Sequence, residues 1–106
     1  MRTLNFKING QRLSKDGDFS NIIKGTKGYL KCAFKTDDKD WINCRIIAVF
    51  ETPNYEDAVV LKADNTCVIP DKITDSDYFR LHVVGTKTGD NNYMIITNKE
   101  LISQEG

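Results

Sequence analysis

Tyr29-Leu30-Lys31-Cys32-Ala33-Phe34-Lys35 puts Leu30, Cys32 and Phe34 at alternate positions, with Lys31, Ala33 and Lys35 between them. Successive side chains of a strand point to opposite faces, so this stretch spells a strand with one dry face and one wet face. Downstream, Trp41 to Phe50 contains Ile42, Ile46, Ile47, Ala48, Val49 and Phe50. Its near-continuous apolarity predicts a central strand covered on both sides for part of its length, closed by Pro53-Asn54. Upstream, Leu4, Phe6 and Ile8 share one face and run into Asn9-Gly10, a favoured two-residue hairpin turn, with Leu13 opening a return strand.

The rest of the chain repeats the pattern every eight to twelve positions. Lys15-Asp16-Gly17-Asp18 is turn material, followed by an apolar patch of Phe19, Ile22 and Ile23 and a break at Gly25-Thr26-Lys27-Gly28. Ala58 to Leu61 and Cys67 to Ile69 read as two strands of a hairpin, separated by Asp64-Asn65 and stopped by Pro70. Residues 71–77 are long enough for one helical turn and no more. Phe79, Leu81 and Val83 restore period two up to Val84-Gly85, a loop spans 86–92, and a last strand takes in Met94 to Ile96 with Leu101 and Ile102 beyond. Seven to nine strands and no lasting helical stripe predict an all-β fold, an immunoglobulin-like antiparallel β-sandwich. The 106 residues hold one core, so residues 1–106 read as one domain, with 2–103 folded and 104–106 a loose tail.

Composition narrows the function classes. Lys plus Arg and Asp plus Glu number 15 each, so the long-range field that draws proteins to nucleic acid or anionic lipid is missing, and neither is expected as a partner. No apolar run approaches the ~20 residues of a membrane span or has the form of a signal peptide, which predicts cytoplasmic synthesis. Cys32, Cys44 and Cys67 each sit in an apolar run and read as reduced core residues; a Cys32 to Cys44 or Cys32 to Cys67 bridge across two sheets is the lesser reading. Their spacings of 12 and 23 residues form no metal knuckle, and the one histidine, His82, lies mid-strand facing away from Leu81 and Val83. Asp16, Asp18, Asp37, Asp38, Asp40, Asp75 and Asp77 are hard oxygen donors without the order of a calcium loop. Gly25 to Gly28 precedes a strand, where a phosphate cradle needs a helix. No arrangement singles out Ser14, Ser20, Ser76, Ser103 or a cysteine as a nucleophile, so neither catalysis nor a cofactor is expected.

The segments Leu4-Asn5-Phe6-Lys7-Ile8-Asn9-Gly10-Gln11, Gly25-Thr26-Lys27 leading into Tyr29 to Phe34, and Trp41 ahead of Ala48-Val49-Phe50 form the first part of a longer likeness. Asn65-Thr66-Cys67-Val68-Ile69-Pro70, Phe79 with Val83-Val84-Gly85, and Thr97-Asn98-Lys99 complete it. In this order the chain resembles the short Ig-like domains of tailed-bacteriophage virion proteins, such as the N-terminal domain of baseplate upper proteins. The resemblance implies a virion component made in the host bacterial cytoplasm, without enzymatic activity, docked among other virion proteins or its own copies in a tail, baseplate or head. Ending soon after the sandwich fits an adaptor or decoration subunit better than a receptor-binding tip.

Two expectations concern contact residues. Trp41 should fill the core, as a tryptophan entering a central strand of a sandwich does. The other reading exposes Trp41 beside Tyr29, Tyr55 or Tyr93 as a platform for a sugar ring or a partner protein, which would make the chain a carbohydrate-binding module for a host surface glycan. For assembly, the first strand, Thr3 to Asn9, and the last, Met94 to Ile102, are the expected free edges.

Overall fold

The period-two segments do become strands. The computed structural model describes residues 1–87 and 89–106 and, of Asp90 and Asn91, the backbone. Thr88, which falls in the loop expected over 86–92, lies outside the described residues. Nine strands are arranged as β1 Arg2–Asn9, β2 Arg12–Asp16, β3 Leu30–Lys35, β4 Cys44–Glu51, β5 Glu56–Val60, β6 Thr66–Val68, β7 Tyr78–Lys87, β8 Asp90–Ile96 and β9 Glu100–Ser103. Short 3-10 turns occupy Lys39–Trp41 and Ile73–Asp75. One sheet runs β2-β1-β3-β6; the other runs β5-β4-β7-β8, with β9 also pairing β7. The immunoglobulin-like sandwich expected from the sequence is the fold, with one refinement: β1 lies parallel to β3, and the remaining strand pairs are antiparallel.

Both inner faces come from the alternating positions. Leu4, Phe6 and Ile8 of β1, Leu30, Cys32 and Phe34 of β3, Ile46, Ala48 and Phe50 of β4, and Phe79, Leu81 and Val83 of β7 are buried between the sheets. Each large apolar side chain so buried contributes about 1.5–3 kcal/mol. Phe6 stacks on Phe34 with ring centres 5.2 Å apart, and Phe50 meets Phe79 at 5.9 Å.

Several local expectations are corrected. The β1–β2 turn has Gly10-Gln11 as its central pair, one position later than Asn9-Gly10, because Asn9 pairs with Arg12 and Gly10 supplies the positive φ of 57°. The strand after Trp41 begins only at Cys44. β7 continues through Gly85 to Lys87, because Gly85 is the point where the Trp41 ring reaches the sheet: a Cβ there would lie 2.7 Å from the ring. β5 and β6 do not form a hairpin. β5 pairs β4 in one sheet and β6 pairs β3 in the other, with the chain crossing between sheets through a turn in which Asn65 adopts φ of 60°, a conformation asparagine tolerates.

The tail at 104–106 is tied down. Gln104 is buried, its backbone N–H donates to the Asp77 carbonyl at 2.7 Å, and its carboxamide donates to the Ser76 carbonyl at 2.8 Å. The Glu105 N–H donates to Ile22, and Lys24 returns a bond to Glu105. The edges also differ from expectation. β1 lies between β2 and β3, so Thr3 to Asn9 is not a free edge; β2 and β6 flank that sheet, while β5 and the β8–β9 pair flank the other. Met94 to Ile102 does lie on an edge, but Asn98 ties it to β2. The Asn98 carboxamide accepts from the Leu13 N–H at 2.7 Å and donates to the Leu13 carbonyl at 3.1 Å, extending the β2 ladder across the sheet boundary.

Candidate functional site

Trp41 is seated by the residues around it. Asp38 caps the 3-10 turn by accepting from the Asp40 N–H at 2.9 Å, and its other oxygen accepts from the Gly10 N–H at 2.5 Å. Those backbone donors hold the Asp38 carboxyl below the usual carboxylate range. The turn then delivers Trp41 inward, 3% exposed, where its Nε1–H donates to the Gly10 carbonyl at 2.7 Å. A cleft of about 470 Å³ opens beside it, lined among others by Asp38, Trp41, Ile42, Cys44 and Asn65. Asp38 has both oxygens engaged, so this end of the sandwich is built to hold the tryptophan in place.

The four aromatic residues do not assemble. Trp41 fills the core, which removes its face from any platform. Tyr93 is close by, donating its hydroxyl to the Asp40 carbonyl at 2.5 Å with the Lys87 ammonium 4.2 Å above its ring. Tyr29 and Tyr55 sit at the opposite end, Tyr29 just before β3 and Tyr55 in the turn after β4, where the Lys72 ammonium lies 5.0 Å from the Tyr55 ring. Cys32 and Cys67 are not on different sheets: they are register partners on β3 and β6, both free thiols, and burial pushes the Cys32 thiol up. Cys44 is half-buried at the rim of the core and does not belong to its interior. Among the described residues no three His, Cys, Asp or Glu side chains converge as a metal site would require.

What the fold does assemble is an apolar face that the sequence reading did not single out. Alternate residues of β4, Arg45, Ile47, Val49 and Glu51, point away from the core. The register sets Val60 of β5 and Val84 of β7 on either side of Ile47, and Ile96 of β8 beside Val84. Val60, Ile47, Val84 and Ile96 thus form a row across four strands on the outside of the molecule. Ala58, Val49 and His82 make the next row, and Met94 and Leu101 extend the patch toward its ends; Val60, Met94, Ile96 and Leu101 are each 43–63% exposed. The coverage of β4 on both sides, expected from its apolar run, is therefore incomplete: one face meets the opposite sheet, and among the described residues no second layer packs on the other, where Ile47 and Val49 stay partly exposed.

The charges of that face are sorted. Arg45 stands at one end of β4 and Glu51 at the other, with Glu56 of β5 next to Glu51. Lys99 donates to Glu51 at 2.8 Å, which holds the Glu51 carboxyl below its usual range, and the Arg80 guanidinium lies over the Tyr78 ring. His82 sits between Val49 and the β8–β9 break with its Nδ1 buried and unpaired; burial first, and then Lys99, push its pKa below the ordinary 6.5, against the pull of Glu51 and Glu56.

No helix among the described residues is long and apolar enough to cross a membrane. No protein-family model matches this chain, and no curated protein matches it.

Proposed function

We propose that this chain is a non-enzymatic structural protein of a tailed-phage virion, in the baseplate, the tail or the head, that works by protein–protein contact. The resemblance of its ordered segments to Ig-like virion domains supplies the setting. The observation that carries the reading is the row Val60, Ile47, Val84 and Ile96, apolar side chains that the register sets side by side on the outer face of the sheet, where contiguous apolar surface can serve association. Asn98 and the Trp41 anchor rigidify the frame that presents this row, so the surface is preorganised for a partner.

Purified phage particles, separated by density and probed with an antibody to this chain, test the proposal. The chain is expected to co-sediment with particles and to be released only with other virion proteins when they are dismantled. Its absence from particles of a phage that encodes it would end the virion reading. The carbohydrate-binding alternative is not carried forward, because Trp41, its largest stacking ring, is enclosed, and Tyr29 and Tyr55 lie at the far end from Tyr93.

A further inference from the structure

We propose that the outer face of the β5-β4-β7-β8 sheet is a self-association surface, on which a second copy of this chain packs face to face about a two-fold axis lying in the interface at right angles to the strands. The proposal rests on the contact reading above and names the partner.

The geometry selects that arrangement. Along β4 the outward residues read Arg45, Ile47, Val49, Glu51, positive at one end, apolar in the middle and negative at the other. A two-fold axis crossing between Ile47 and Val49 lays β4 of one copy antiparallel over β4 of its partner. Arg45 then meets the partner's Glu51, and Ile47 meets the partner's Val49. By the same operation Val84 comes over the partner's His82, Val60 over the partner's Ala58, and Met94 over the partner's Leu101, so these apolar side chains meet an apolar surface or a neutral ring, while Ile96 comes over the partner's β8–β9 break. Two-fold interfaces require this self-complementarity.

The charges support it. Among the described residues Arg45 makes no ion pair within its own chain. At the opposite end Glu51 and Glu56 stand side by side on β4 and β5, while the neighbouring cations, Lys99 and Arg80, lie toward β9 and β7. Arg45 of a second copy would meet Glu51 with Glu56 beside it, sharing a carboxylate that already accepts from Lys99. A two-fold axis parallel to the strands and running along β4 would instead bring Arg45 over the partner's Arg45 and Glu51 over the partner's Glu51, and like charges so placed repel.

The area is sufficient. The five strands of this sheet, from five-residue β5 to ten-residue β7 with β9 included, cover about 550 Å² per copy at ~3.4 Å per residue and ~4.8 Å between strands, and the roughly 1,100 Å² of the pair lies just above the ~1,000 Å² expected of a specific contact. Aligned sheets of this kind cross at about 30°, and the contact is centred on the axis, between the Ile47–Val84 row and the Val49–His82 row.

Sedimentation velocity of the full chain over a wide concentration range tests the pairing. The wild type is expected to shift from 12.1 kDa toward twice that mass as concentration rises. Arg45→Glu should weaken the dimer by at least about tenfold, and adding Glu51→Arg to that variant should restore it, because the swapped pair meets again across the axis. Circular dichroism confirms that each variant is folded, and Lys7→Glu, on the opposite sheet, serves as the neutral control. A folded wild type that stays monomeric at the highest concentration, or a double variant no better than the single, overturns the second-copy assignment. If the monomeric chain still co-sediments with particles, the virion proposal stands and a different protein occupies this face; if it does neither, both fail.

Discussion

The two sheets of this sandwich are alike on the inside and opposite on the outside. Inward, each contributes alternating Leu, Ile, Phe and Val at full burial. Outward, β1, β2 and β3 display Thr3, Asn5, Lys7, Ser14, Asp16, Lys31 and Lys35, while β4, β5, β7 and β8 display Ile47, Val49, Val60, Val84, Met94 and Ile96 between the polar rows of Arg45 with Thr86 and of Glu56, Glu51 and Arg80. A sheet face that meets water is polar at nearly every second position, because nothing else satisfies it. The second sheet departs from that rule along the Val60, Ile47, Val84 and Ile96 row, and the difference teaches that alternation alone does not set the outer face of a strand.

The sharpest test of the comparison uses two neighbours on β4. Phe50→Ala empties a core site and should cost about 3–5 kcal/mol in urea unfolding. Val49→Ala, one residue away on the other face, should leave unfolding of the dilute protein within about 1 kcal/mol of wild type while weakening self-association in sedimentation. Equal costs would mean that the outer face is packed by something within the chain. Next in size, Asn98→Ala leaves the Leu13 N–H and carbonyl without their cross-sheet partner and should cost about 1–2 kcal/mol in the same unfolding measurement. It binds the two sheets at one edge, so its loss should also quicken backbone amide exchange at Leu13.

A smaller effect comes from His82. Its folded-state pKa lies below the ordinary 6.5, so as the pH falls through 6.5 the unfolded chain takes up a proton that the folded chain does not. Stability should therefore be fully present above that pH and decline as the pH drops toward the folded pKa, and His82→Gln should flatten the decline. Because a partner would bury the ring further, the dimer should loosen over the same range. A pH-independent unfolding midpoint between pH 7 and the folded pKa would show that His82 is as well hydrated folded as unfolded. The smallest change is expected on the first sheet: Lys7→Ala should lie within about 0.5 kcal/mol of wild type and leave self-association untouched.

Much of the frame was legible in the sequence. Leu4-Phe6-Ile8, Leu30-Cys32-Phe34 and Phe79-Leu81-Val83 each declared a strand and the face it buries, because the period of a strand is local. The errors came where a distant residue decided the outcome. Gly85 read as a strand end because glycine usually interrupts strands, yet here it is the gap into which Trp41 fits. Ala58–Leu61 and Cys67–Ile69 looked like partners because they are close in sequence, while their hydrogen bonds go to β4 and β3. Of the contact residues expected, Trp41 is in the core and the three tyrosines are spread over both ends. The face that does stand out was written in single residues on four separate strands, a pattern no window of sequence contains.

By itself, the order of apolar and polar residues determined that this chain would form short strands with one dry side, since that alternation depends only on the geometry of an extended backbone. Tertiary structure alone decided which strands became neighbours, that Asn98 would join two sheets and that Ile47, Val60, Val84 and Ile96 would meet on one surface. Those outcomes depend on register between segments far apart in the chain, and register is set by the packing of the whole core.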